Sequence, residues 1–289
     1  AAPLIRFIAV PPPGVTAALL FGWGIVLYTL MALLMLEAVR FSSRLTKKTE
    51  EPMNPERRLL LSRAAAAGAV AVGAGATSFG AFRAFNPPQI TEVPVKMPGL
   101  PRALDGFTIV QLSDIHVGAV IQERFLDQLV NTANFARPDL VAITGDLVDG
   151  SPDVLGRYVS RMKNLQAKYG TFFVSGNHDY YSGWEEWARA LPGVGFTVLR
   201  NRFVTIGDAG ASFDLVGVDD WGGRWGNAGY DLEKATAGRD PARASVLMAH
   251  QPNGLELAAA KNIGLQLSGH THGGQMFPGT LISEVMWGS

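Results

Sequence analysis

Five short apolar runs in this 289-residue chain each hand over to a polar segment, and between them the five segments hold all five of its histidines. The runs are residues 107–112, 139–144, 171–175, 244–248 and 264–268. Apolar stretches of this length, rich in β-branched and aromatic types and closed by turn formers, read as buried strands. The segments that follow are Ser113-Asp114-Ile115-His116, Gly145-Asp146-Leu147-Val148-Asp149, Gly176-Asn177-His178-Asp179, Ala249-His250-Gln251 and Gly269-His270-Thr271-His272-Gly273. They therefore stand at the carboxyl ends of strands, where open α/β sheets place their ligands. Asp114 and His116 are two residues apart, as are His270 and His272. Strand geometry carried through these positions would project each pair to one side.

Imidazole, carboxylate and amide oxygen together make a mixed nitrogen/oxygen shell, the donor set of a two-metal site. The chain has no cysteine, which excludes disulfides and thiolate ligands. Two divalent ions follow as cofactors, with Mn, Fe and Zn all compatible with such a shell. A lone histidine is ordinarily a satisfied structural residue; five in this arrangement are not. Asp149 and Asp179 have a second reading, because Asp also caps loops and helices through local backbone bonds. The glycines beside the ligands suit tight turns and close backbone approach.

The order Asp-x-His, Gly-Asp-x-x-Asp, Gly-Asn-His-Asp, a lone His and Gly-His-x-His resembles the calcineurin-like metallophosphoesterase family. The gaps agree, with 28 residues between His116 and Gly145 and 26 between Asp149 and Gly176. The trailing Gly273-Gly274-Gln275, with an apolar segment upstream, resembles the bacterial membrane-associated branch of that family. The likeness spans roughly residues 100–278. It implies a metal-dependent phosphoesterase in which Asp114, His116 and His272 hold one ion and Asn177, His250 and His270 the other. Asp146 would bridge the two, and His178, oriented by Asp149, would stay off the metals beside the leaving group. The charge balance suits that reading. Two dications, two ligand carboxylates and a bridging hydroxide leave about one positive charge to attract a phosphoester. Such a pair can activate the hydroxide and clamp the phosphoryl oxygens during in-line displacement. A protonated His178 would supply the departing alkoxide with its proton.

The alternation of apolar strands with amphipathic stretches such as 123–135 and 252–260 predicts an α/β fold, a four-layer α-β-β-α sandwich of two mixed sheets with helices outside. Trp184, Trp187 and Leu191, at i, i+3 and i+7, belong to a helix that buries them. The domain is expected over 100–289, after a proline-rich linker at 87–99. From residue 94 onward acidic side chains outnumber basic ones, so nucleic acid is a poor partner for it.

Residues 1–86 form the expected membrane anchor. No charge falls in 7–36, and the apolar run 15–36 spans about 33 Å as a helix, enough to cross a bilayer. A second uncharged stretch, 64–82, is mostly Ala and Gly. Between the two lie Arg40, Arg44, Lys47, Lys48, Arg57, Arg58 and Arg63. Positive charge of this kind places the connecting segment in the cytoplasm and the catalytic domain outside it. Arg57-Arg58 before a weakly apolar stretch also resembles a twin-arginine export signal. Two topogenic charges among seven is the alternative, and a surface-docked loop would leave the domain cytoplasmic.

The aromatic-rich insertion 221–239 is a candidate substrate rim or membrane contact, against local packing as the plain alternative. The chain also reads as a fragment, lacking upstream membrane helices and a C-terminal hairpin, with residues 280–286 starting an unpaired strand. Three functions fit: a membrane-tethered phosphoesterase acting on a mono- or diester of the lipid or envelope type, a phosphodiesterase or pyrophosphatase of soluble nucleotides, and a non-catalytic membrane sensor. The complete ligand set with His178 beside it argues against the sensor.

Overall fold

A computed structural model describes residues 13–46, 54–84, 86, 88–221, 229–274, 279, 280 and 285. The chain divides into two compact units, Ala1–Asn86 and Pro87–Ser289.

The first unit consists of two helices, α1 (Pro13–Thr46) and α2 (Pro55–Ala84). Both are long and apolar enough to cross a membrane by length and composition. The Ala/Gly character of α2 has a packing reason. A Cβ on Gly73 would lie 2.7 Å from the Ile25 carbonyl oxygen and 2.9 Å from the Thr29 nitrogen, so only glycine lets the two backbones approach this closely. Gly24 likewise abuts Thr77. The partners descend along α2 as they ascend along α1, which makes the pair antiparallel. Small residues at such a contact replace apolar bulk with backbone proximity, the usual device of helices packed in lipid. Arg57 and Arg58 lie in the first turns of α2, while Lys47 and Lys48 fall outside the described residues.

The second unit runs β1 (Ile109–Leu112), α3 (Glu123–Phe135), β2 (Leu140–Thr144), α4 (Pro152–Val159), β3 (Thr171–Val174), α5 (Asn177–Tyr181), α6 (Trp184–Ala190), β4 (Phe196–Val198), β5 (Arg202–Asp208), β6 (Ala211–Gly217), α7 (Leu232–Thr236), β7 (Ser245–Met248), α8 (Leu255–Ala260) and β8 (Leu265–Leu267). One sheet has the order β1-β2-β3-β4 and the other β5-β6-β7-β8.

The period-2 alternation of the strands builds the layers. On β2, Val141 and Ile143 join Leu126, Val130, Val159, Trp184 and Trp187 in a core beneath α3, α4 and α6. Their neighbours Leu140 and Ala142 face the other way, meeting Phe213, Leu215, Val246 and Met248 between the sheets. On the far side of the second sheet Val216 and Leu247 pack with Leu232, Ala235 and Ala258 of α7 and α8. The result is the four-layer α-β-β-α sandwich. Its first sheet departs from expectation. All its described pairings are parallel, and only the β5–β6 hairpin makes the second sheet mixed.

Helix α3 occupies the expected 123–135, and Trp184, Trp187 and Leu191 are buried. Helix α8 begins only at Leu255, because Gly254 takes a left-handed conformation (φ 79°). Residues 88–97 form neither helix nor strand, although Met97 and Leu100 pack against the inter-sheet core. Of the strand expected over 280–286, Thr280 and Val285 are helical and the others lie outside the described residues.

Candidate metal centre

The site is built by loops that prolong strand pairing past the strands. Within the sheet β1 and β2 run in register, Leu112 opposite Ile143. Beyond it the Asp114 amide donates to the Gly145 carbonyl (3.1 Å), His116 to Asp146 (3.0 Å), Val117 to Leu147 (2.8 Å) and Asp149 back to Val117 (2.9 Å). The side chains, however, are not presented by strand geometry. Asp114, His116, Asp146, His270 and His272 all have positive φ, between 48° and 72°. Left-handed backbone is uncommon outside glycine and marks functional sites when it clusters. The two-residue spacing therefore works through left-handed turns rather than an extended strand, correcting the alternation argument.

Those turns bring the candidate ligands together in two adjoining sets. In the first, His272 Nε2 lies 3.2 Å from Asp114 Oδ1 and 3.3 Å from His116 Nε2. In the second, His250 Nε2 lies 3.2 Å from Asp146 Oδ2, 3.2 Å from His270 Nδ1 and 3.1 Å from Asn177 Oδ1. Asp146 Oδ2 is also 3.8 Å from His116 Nε2, so this carboxylate stands between the sets. His178 and Asp149 flank the first set. His178 Nδ1 is 2.7 Å from Asp149 Oδ1, and the His178 ring meets that of His116 edge-on at 4.5 Å. The nine candidate ligand and catalytic residues thus stand together beyond the carboxyl ends of the strands.

Close approach is enforced by glycine. A Cβ on Gly176 would run into the carboxylate and amide of Asp146. Asp179 is the brace between the same loops. Its buried carboxylate accepts from the amides of Gly176 (2.8 Å), Asp146 (3.0 Å), Leu147 (3.0 Å) and Val148 (3.3 Å). Of the two aspartates with a capping alternative, Asp179 takes it and Asp149 contacts imidazoles instead.

Electrostatics agree with a cation site. Burial works against charge on Asp114, but bonds from His272 and Ser113 outweigh it and hold the carboxyl at about 2. Burial also opposes charge on His250, and the Asp146 carboxylate overcomes it, raising the imidazole to about 9. The Asp146 carboxyl is correspondingly lowered. Burial pushes Asp179 up to about 7 despite its backbone donors, with Asp146 adding to the rise.

A family model described as calcineurin-like phosphoesterase matches residues 107–274, the stretch that contributes every candidate ligand. The chain belongs to the calcineurin-like phosphoesterase family. An uncharacterized metallophosphoesterase of Campylobacter jejuni is 36% identical over 208 residues, covering 71% of this chain and 54% of the relative. A transmembrane protein with metallophosphoesterase domain from Bos taurus is 38% identical over 211 residues, covering 69% and 48%. The chain spans about half the length of these curated relatives. Among solved structures, Haemophilus influenzae NAD nucleotidase is similar at 16% identity and a TM-score of 0.41, covering 57% of this chain and 38% of that one.

Members of this phosphoesterase family generally bind divalent metals, and the donors here fit such ions. Asp114, His116 and His272, and Asp146, His250 and His270, each offer ligand atoms within 4.8 Å of one another. Three features had no signal in the sequence. The Thr144 carbonyl receives His250 Nδ1 at 2.9 Å and aims the ring's other nitrogen inward, but a backbone oxygen is invisible to residue-type reasoning. Ser113 bonds the Asp114 carboxylate at 2.5 Å. Asp149 reaches His116 as well as His178. In the aromatic insertion Trp221 and Tyr230 stack on one another at 4.2 Å, and residues 222–228 lie outside the described residues.

Proposed function

We propose that this chain is a membrane-tethered phosphoesterase that holds two divalent ions and hydrolyses a phosphate mono- or diester of the lipid or cell-envelope type, on the extracytoplasmic side. The observation that carries the reading is the placement of Asp146 between two imidazole sets, with His178 beside them on the solvent side. In this assignment Asp114, His116 and His272 hold one ion, Asn177, His250 and His270 the other, and Asp146 both. When bound, such ions polarise phosphoryl oxygens and make water nucleophilic. The neutral Asn177 amide supplies an oxygen without cancelling positive charge that a phosphoester needs. His250, with Nδ1 on the Thr144 carbonyl, keeps Nε2 directed at the ligands. His178 has its Nδ1 on Asp149, which leaves Nε2 to pass a proton to the leaving alkoxide. Its side chain is 42% exposed, open to a substrate entering from solvent.

Tethering and sidedness rest on α1 and α2 and on the basic residues flanking the stretch between them. The experiment uses the full chain in detergent, loaded with Mn²⁺, and compares phospholipid phosphoesters with nucleotides in parallel. Metal-dependent turnover of the lipid substrates supports the proposal. Turnover of nucleotides alone would replace the substrate class, and failure to bind or respond to any divalent ion would remove the reading altogether.

A further inference from the structure

We propose that Asp149 is a positioning residue for two imidazoles at once, orienting His116 toward its ion as well as His178 toward the leaving group; the inference rests on the two-metal reading above. Both Asp149 oxygens lie 3.2 Å from His116 Nδ1, while Oδ1 is 2.7 Å from His178 Nδ1. A carboxylate has lone pairs enough to accept from both rings. The opposite end of the His116 ring, Nε2, faces His272 Nε2 and Asp146. An N–H on Nδ1 requires the neutral ring to keep its lone pair on Nε2, the atom aimed at the ligand cluster. A carboxylate behind a metal-binding imidazole in this way fixes its tautomer and raises its basicity.

The contact is built into the fold rather than left to a mobile side chain. The Asp149 amide is bonded to the Val117 carbonyl, one residue from His116. The loops meet closely beside it, where a Cβ on Gly118 would stand 3.4 Å from that of Asp149, an ordinary packing distance. From the other side Ser182 Oγ donates to the Val148 carbonyl (2.9 Å) and Trp187 Nε1 to the Gly150 carbonyl (2.9 Å). The residues on either side of Asp149 are thereby tied to α6 and the turn after α5, the helix that carries His178. One carboxylate is held between the two loops whose histidines it touches.

The test measures divalent-ion affinity by chelator competition in wild type, Asp149→Asn, His178→Ala and the double variant. Asp149→Asn is expected to weaken one of the two ions by about 10–100-fold, and by the same factor in the His178→Ala background, while His178→Ala alone changes neither. Turnover should split in the same way. The His178→Ala deficit should shrink on passing from an alkyl ester to a p-nitrophenyl ester, whereas the Asp149→Asn loss of at least about tenfold should persist on both. Asp149→Glu, which keeps the carboxylate, should recover part of the affinity. In the metal-free protein, nitrogen NMR should find the His116 proton on Nδ1, and lose that preference in Asp149→Ala. Wild-type affinity in Asp149→Asn, or a loss that disappears when His178 is already Ala, would overturn the proposal while leaving the two-metal reading intact. A wild-type protein that binds no divalent ion would overturn both.

Discussion

The two halves of the candidate metal centre are made of similar residues but set at different depths. In the inner half His250 is 1% exposed and Asp146 2% exposed, with Thr144, Asn177 and the Asp179 brace around them. In the outer half His116 and Asp114 are half-buried and His272 is exposed, and His116 leans on Asp149 at the surface. Burial makes the inner half dependent on backbone, which cannot be exchanged without moving strands. The outer half depends on side chains that solvent can reach. From this contrast we expect the inner ion to be held by the fold and the outer one to exchange more readily.

Replacing Asp146 would break the comparison most severely, because this carboxylate belongs to both halves. Asp146→Asn is expected to lower affinity for both ions by more than about 100-fold, since it removes a ligand rather than the partner of one. Elemental analysis after dialysis measures this, and a variant that kept one ion fully would show that Asp146 serves a single half. A smaller effect should follow from His178→Ala, which leaves both ions in place. Its turnover on alkyl phosphoesters should fall about 10²–10⁴-fold, and the deficit should shrink for a p-nitrophenyl ester, whose leaving group needs little protonation. Equal losses on both substrates would assign His178 to phosphate binding instead.

The pH dependence sharpens the comparison further. His250, raised to about 9, carries a proton at neutral pH that an incoming ion must expel. Affinity at the inner half should therefore rise about tenfold per pH unit from pH 7 until it levels near pH 9. In the metal-free protein the same shift stabilises the fold fully below about pH 6.5, and that contribution is lost as the pH climbs through about 9. Isothermal titration across this range would detect the proton release, and a flat profile would contradict the assignment. The smallest difference is in stability without metal. His250→Ala should cost about 1–3 kcal/mol, because it leaves the Thr144 carbonyl and Asp146 short of a buried partner. His272→Ala should cost less, about 0.5–1.5 kcal/mol, because it removes a bond to the Asp114 carboxylate at a place solvent can reach. Thermal melts of the two variants would show whether depth is what separates them.

What could be read in the residues alone was the set of groups and their order. The strand runs, the α3 span, the buried Trp184, Trp187 and Leu191 and the nine candidate site residues are all local patterns of residue type and spacing. The first long helix was legible for the same reason; the Ala/Gly stretch 64–82 was not, and its glycines acquired a packing role only when Gly73 met Ile25 and Thr29. The remainder depended on contacts across long separations. The β5–β6 hairpin and the parallel first sheet had no matching signal, because pairing partners are chosen by burial on both faces rather than by one run's composition. The left-handed turns at Asp114, His116, Asp146, His270 and His272 were only weakly signalled, since Asp and His are enriched at positive φ but most of them still adopt ordinary backbone. By itself the sequence determined which atoms could bind a cation. Only the tertiary structure decided that Asp146 stands between two sets, that Asp179 braces the loops, and that Asp149 serves two rings, because a side chain's role there is set by what packing brings within about 3 Å of it.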